Sequence, residues 1–159
     1  MSGFVAQPDG HDPEDPVADT VAGDSFWPGV SIEQFKHSTR ASYLVDETRM
    51  RDALRGGMLT VRGELREWKA GHVALGAAEL ADIDAEEVDG ANALVLLYQR
   101  AVFAHAAADL IESHNPVSAT NEGRERIEDN IPSAHHFRRI GTLAIRDIKG
   151  TTRTAVELI

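Results

Sequence analysis

The sequence contains no cysteine, which excludes a disulfide framework, thiolate metal sites and thiol nucleophiles. Aromatic residues make up only 6% of a chain that is 42% hydrophobic, so its core must be mainly aliphatic. Lys and Arg are absent from the first 25 residues, and no basic start leads there into the apolar run of a secretory signal. A cytosolic folding environment is the expectation. No glycine-rich phosphate loop and no nucleophile elbow occurs, so two common enzyme signatures are missing. Against 26 Asp and Glu stand only 16 Lys and Arg, a formal charge of −10. That balance disfavours a surface for duplex nucleic acid. At 159 residues the chain is expected to form one domain with tails.

What is present is organised around residues 91–113, ANALVLLYQRAVFAHAAADLIES. Apolar side chains from Leu94 to Ile111 surround most of the helical wheel, so this helix must be wrapped by protein or lipid. Gln99, Arg100, His105 and Asp109 interrupt the run, which argues against a membrane span. The reading is a central bundle helix, with Ala104, Ala106, Ala107 and Ala108 allowing close neighbours. No membrane partner is expected.

Before it, residues 1–25 carry Asp9, Asp12, Glu14, Asp15, Asp19 and Asp24 with three prolines, the composition of a disordered acidic arm. Phe26-Trp27-Pro28-Gly29 reads as an aromatic knot pinning that arm to the body. Ser31 is expected to cap a short helix over 32–39 with Gln34 at the capping-box position. Tyr43-Leu44-Val45 reads as an extended link. Asp46 is expected to cap a helix over 47–70, whose stripe Met50, Leu54, Met58, Val61, Leu65 and Trp68 follows helical spacing. The Gly56-Gly57 pair inside it calls for a close neighbour or a kink. Gly71 is expected to end it.

Residues 72–90 read as a linker in which Leu75, Leu80, Ile83 and Val88 tuck onto the core, Asp84 caps one helical turn and Asp89-Gly90 turns into the central helix. The acids from Asp82 do not make a calcium loop, because Glu87 stands where glycine is needed and Ala93 where a bidentate Glu belongs. A third long helix is expected over 119–148, with Pro132 either kinking it or sitting in the first turn of a restart. The closing Thr151–Ile159 segment has the β-branched composition of a strand, yet no other convincing strand is visible to pair with it. Such a segment either lies along its own bundle or adds to a sheet edge of another chain.

Candidates for chemistry are few. His105 and Asp109 stand four apart on the central helix and can share a hydrogen bond, but no nucleophile or cleft accompanies them. The adjacent His135 and His136 point about 100° apart on a helix, which suits no shared metal. No catalytic residue, metal site or cofactor is assigned, and the chain is not read as an enzyme. The fold class is all-α: a small bundle of three long helices plus short ones over 26–150, flanked by the arm (1–25) and an extended C-terminal tail (151–159).

Taken in order, the knot, DETRMRDALRGGM, Leu80-Ala81-Asp82 through Asp89-Gly90, Tyr98-x-Arg100-Ala101-Val102 and the terminal Val156-x-x-Ile159 resemble the head-completion (head–tail connector) family of contractile-tailed bacteriophages. The resemblance covers about residues 25–159, and Pro132 and the acidic arm depart from the family pattern. It implies a structural adaptor in the virion neck, between capsid and tail, assembled in the host cytoplasm. Its partners would be the portal, neighbouring copies in a twelve-membered ring, and tail-side neck or terminator proteins. DNA would pass through the lumen without specific binding. Thr152, Thr154, Val156, Leu158 and Ile159 would then bind the portal or a neighbour. Arg51, Arg55, Arg62, Arg66, Arg138 and Arg139 would form an inter-subunit face of the kind a heterologous ring requires. The alternative is a helical DNA-binding or packaging-accessory protein acting through Arg49–Lys69.

Overall fold

The computed structural model describes residues 19–39, 46–113 and 132–150. In chain order they form β1 (Thr20–Val21), β2 (Val30–Ser31), α1 (Ile32–Ser38), α2 (Glu47–Glu64), α3 (Arg66–Ala74), a 3₁₀ turn (Leu80–Asp82), β3 (Glu87–Val88), β4 (Ala91–Asn92), α4 (Ala93–Ser113) and α5 (Ala134–Ile148). The architecture is mostly helical, with short strands where none was expected.

Helix α4 is the centre. Both α2 and α5 pack along it, and Tyr98, Ala101, Val102, Phe103, Ala104, Ala106, Ala107, Ala108 and Leu110 are buried. It is long and apolar enough to cross a membrane by composition, and half of that stretch is buried inside the protein, which is the other way to satisfy such a helix. Close approach comes from matching small residues. A Cβ on Gly57 of α2 would lie 2.6 Å from the Val102 carbonyl oxygen, and one on Gly141 of α5 would lie 2.7 Å from the His105 ring. A close neighbour therefore explains Gly57, whereas Gly56 faces open space.

The pairings set direction. Arg62 meets Tyr98 and Gly57 meets Val102, so α2 runs antiparallel to α4. Arg138 bonds Glu112 and Gly141 meets His105, so α5 also runs antiparallel to it. Of the stripe read from spacing Met50, Leu54, Met58, Val61 and Leu65 are buried and Trp68, on α3, is half-buried, and the Asp46 carboxylate accepts from the Arg49 N–H at 2.9 Å as the cap of α2. Ser31 likewise caps α1 by accepting from the Gln34 N–H.

Several expectations need correction. The helix over 47–70 is two pieces, because Leu65 leaves helical geometry (φ −97°, ψ 8°) and α3 then continues to Ala74. Gly71 is inside α3. The chain turns at Gly76, whose φ of +101° is the left-handed conformation that ends helices. In the linker Leu80 is buried and Ile83 half-buried, but Leu75 (85%) and Val88 (49%) are exposed. The single turn in the linker is Leu80–Asp82, with Glu79 and Asp82 forming its capping box, so Asp84 caps nothing there. Asp89 and Gly90, at φ 53° and 73°, make the tight turn of a hairpin between β3 and β4, the conformation that two-residue hairpin loops demand.

At the N-terminal side, β1 pairs with β2, so residues 19–25, expected in the arm, belong to the folded body. Asp19 accepts from the Ser31 hydroxyl at 2.7 Å and from the Glu33 N–H. Helix α5 starts at Ala134 with Ser133 as cap, the Ser133 hydroxyl accepting from the His136 N–H. Pro132 stands just before that cap, not in the first turn. The expectations for residues 1–18, Tyr43-Leu44-Val45, 119–131 and 151–159 lie outside the described residues.

Candidate interaction surfaces

A polar cluster is built on the aromatic knot. Asp24 accepts from the Phe26 and Trp27 N–H groups at 2.8 and 2.7 Å, a turn that presents both rings inward. Trp27 stacks on Tyr98 at 4.9 Å and on Trp68 at 6.5 Å, and Phe26 meets it edge-on. Lys69 Nζ lies 4.7 Å from the Phe26 ring centre, a cation–π contact. Arg62 closes the cluster, with Nε donating to the Tyr98 hydroxyl at 3.0 Å and Nη1 to Asp24 at 3.3 Å. Burial would raise the Asp24 carboxyl, but the two N–H groups, Arg62 and Lys69 outweigh it and hold its pKa below the ordinary 3.8. Burial raises the Tyr98 phenol. These groups hold the N-terminal segment, α2, α3 and α4 together.

The arginines read from the sequence as one face are dispersed. Arg51 donates to the Thr20 carbonyl and approaches Glu47, tying α2 to β1. Arg55 pairs with Asp52 on the surface, and Arg62 belongs to the knot. Arg66 is exposed at the start of α3. Arg138 grips Glu112 of α4 through two guanidinium nitrogens, and that hydrogen bond and charge raise its pKa. Arg139 is exposed. On α5 exposed His135, Arg139 and Thr142, half-buried Arg146 and the capping Lys149, which approaches Glu64 at 3.9 Å, repeat at 4, 3, 4 and 3, a single basic stripe.

Charge of the other sign collects in the linker and hairpin. Between Lys69 and Arg100 there is no Lys or Arg, while Glu79, Asp82, Asp84, Glu86, Glu87 and Asp89 fall there. The last three surround exposed Val88 at the hairpin tip. Between α4 and α5 a slot of about 70 Å³ is lined by Leu97, Arg100, Ile140, Leu143, Ala144 and Asp147.

The His105–Asp109 hydrogen bond is not made. His105 Nε2 is buried without a partner, because the ring turns toward Gly141 and Asp109 lies exposed one turn on. Burial first, then Arg138, lowers the His105 pKa against the opposing charge of Glu64. His135 and His136 are both exposed. Among the described residues no three His, Asp or Glu gather in metal-binding geometry. Sequence reasoning missed Asp24 and Tyr98 as partners. The Asp-x-x-Trp turn ahead of Pro28-Gly29 was the available signal for Asp24.

The described residues form a helical bundle whose knot cluster joins its own segments and whose linker is acidic. A family model of the phage head completion protein (GPL) matches residues 21–159, and the chain belongs to that family. It is 28% identical over 155 residues to the head completion/stabilization protein of Escherichia phage P2, covering 98% of this chain and 88% of that one. It is 25% identical over 139 residues to the probable head completion/stabilization protein of Haemophilus phage HP1 (strain HP1c1), covering 87% and 91%. No solved structure matches the chain.

Proposed function

We propose that this head completion protein forms a ring on the portal after DNA packaging, stabilises the filled head and prepares it for tail joining at the neck. The observation that carries the reading is the segregation of charge into unlike surfaces. A ring is built from heterologous contacts, in which one patch meets a different patch on the next copy. The acidic linker and hairpin, Glu79–Asp89, and the basic stripe of α5 are of opposite sign, as such contacts favour. Arg55, Arg66 and Arg139, all exposed, remain the members of the arginine face available to a neighbour. Arg138 contributes by fixing α5 to α4.

The tail Thr152, Thr154, Val156, Leu158 and Ile159 is assigned to the portal or to a neighbouring copy by strand addition. The net acidic chain suits a lumen through which DNA passes, since retention on phosphate requires basic contacts. Tail-side neck proteins complete the partner set. The test mixes full-length protein, or protein lacking 151–159, with cognate portal and reads assembly mass by native mass spectrometry. Loading of about twelve copies by the full chain, and none by the truncated one, is expected under ring closure. Failure of the full chain to load an intact portal rejects the reading.

A further inference from the structure

The slot between α4 and α5 is walled mainly by aliphatic side chains, with Arg100 and Asp147 also lining it. Leu97, Ile140 and Leu143 at its walls are half-buried. At about 70 Å³ it is a hollow on the scale of a side chain, far smaller than a helix of about 10–12 Å diameter would fill. We propose that in the free protein it is the docking site of the chain's own C-terminal segment, residues 151–159, with Val156 or Leu158 as the inserted side chain.

Reach comes first. Helix α5 ends at Ile148, and Gly150 at φ +65° donates its N–H to the Asp147 carbonyl at 3.1 Å, a left-handed residue that turns the chain off the helix axis. Leu143 precedes Gly150 by seven residues, about 10 Å at 1.5 Å per residue, whereas nine extended residues span about 30 Å.

Chemistry comes second. Ala155, Val156, Leu158 and Ile159 are apolar, and alternation puts Val156 and Leu158 on one face of an extended segment. The other undescribed stretches fit worse. Residues 1–18 hold four acids and enter at β1, which packs on α2. Residues 40–45 join α1 to α2. Residues 114–131 are mostly polar and start at Ser113, about 24 Å along α4 from Leu97.

Docking of this kind covers the side chains assigned above to the portal, so it would keep free subunits from pairing before a portal is met. That consequence rests on the portal reading, whereas the docking site does not. The absence of cysteine allows a direct test in the full chain. Leu97→Cys combined with Leu158→Cys, and separately Leu143→Cys with Val156→Cys, are oxidised with diamide. The control pair is Thr48→Cys with Leu158→Cys. Thr48 is exposed, and the antiparallel course of α2 puts it at the other end of α4 from Leu97.

The expected result is an intrachain disulfide in a slot pair, formed at least about tenfold faster than in the control, the factor that about 1.4 kcal/mol of docking supplies. Circular dichroism selects the pairs that fold. Equal rates overturn the proposal. So does a product of twice the mass, which would make a second copy's segment the occupant. The locked protein is then offered to portal before and after reduction. Loading only after reduction supports the latch. Equal loading removes that role while leaving the crosslink, and hence the site, in place.

Discussion

Asp24 illustrates how much one residue holds. Its carboxylate serves two backbone N–H groups and Arg62, so Asp24→Ala strips partners from three donors at once. A cost of about 1–2 kcal/mol is expected, at the lower end for charged hydrogen bonds because the group is part-exposed. Denaturant unfolding measures it, and an effect near zero would mean water replaces the carboxylate. The lowered pKa has a sign. The ionised form is favoured in the fold, so this stability is present above pH 3.8 and is lost as pH falls through the lower folded value. His105 behaves likewise from the other charge type. Burial and Arg138 favour its neutral form, so its contribution is present above the ordinary 6.5 and declines as pH drops below that toward the folded value. Melting curves from pH 7.5 to 5 should fall more steeply for the native chain than for His105→Gln. Parallel curves would show that the ring titrates as in water.

At the scale of elements, neighbouring glycines in α2 make opposite predictions. Gly57→Ala places a methyl 2.6 Å from the Val102 carbonyl and should cost about 1–3 kcal/mol, as overpacking does. Gly56→Ala meets nothing within 4 Å and should stabilise by roughly 1 kcal/mol through helix propensity. Chemical unfolding of the two variants decides it, and equal effects would mean α2 and α4 are not in this register. The spacing that placed the α2 stripe was legible because every third or fourth residue is apolar and most of those between are polar, exposed Leu59 being an exception. The short strands were not. Two residues carry no periodicity, and Asp89-Gly90, the strongest local hairpin signal, was read only as a turn.

For the whole molecule the governing quantity is the distribution of charge. Arg139→Glu reverses an exposed position of the α5 stripe and should leave the melting temperature within a degree or two, since isolated surface charges contribute about 0–1 kcal/mol. Ring loading on the portal should fall and its salt dependence flatten, as follows when a steering charge is lost. Light scattering across a salt series reads this. Unchanged loading would remove the basic stripe from the subunit contact.

By itself the sequence determined the helical class, the central helix, the α1 and α2 caps, the α2 stripe and the family, because each is written in local spacing or in the order of short motifs. Only the tertiary structure decided that Gly57 and Gly141 are contact points, that Arg62 turns inward while Arg139 stays outside, that His105 loses Asp109, and that Leu97 and Leu143 share a slot. Those outcomes depend on which residues of one helix face which residues of another. Helical periodicity specifies the face a residue occupies, but not its partner across the interface.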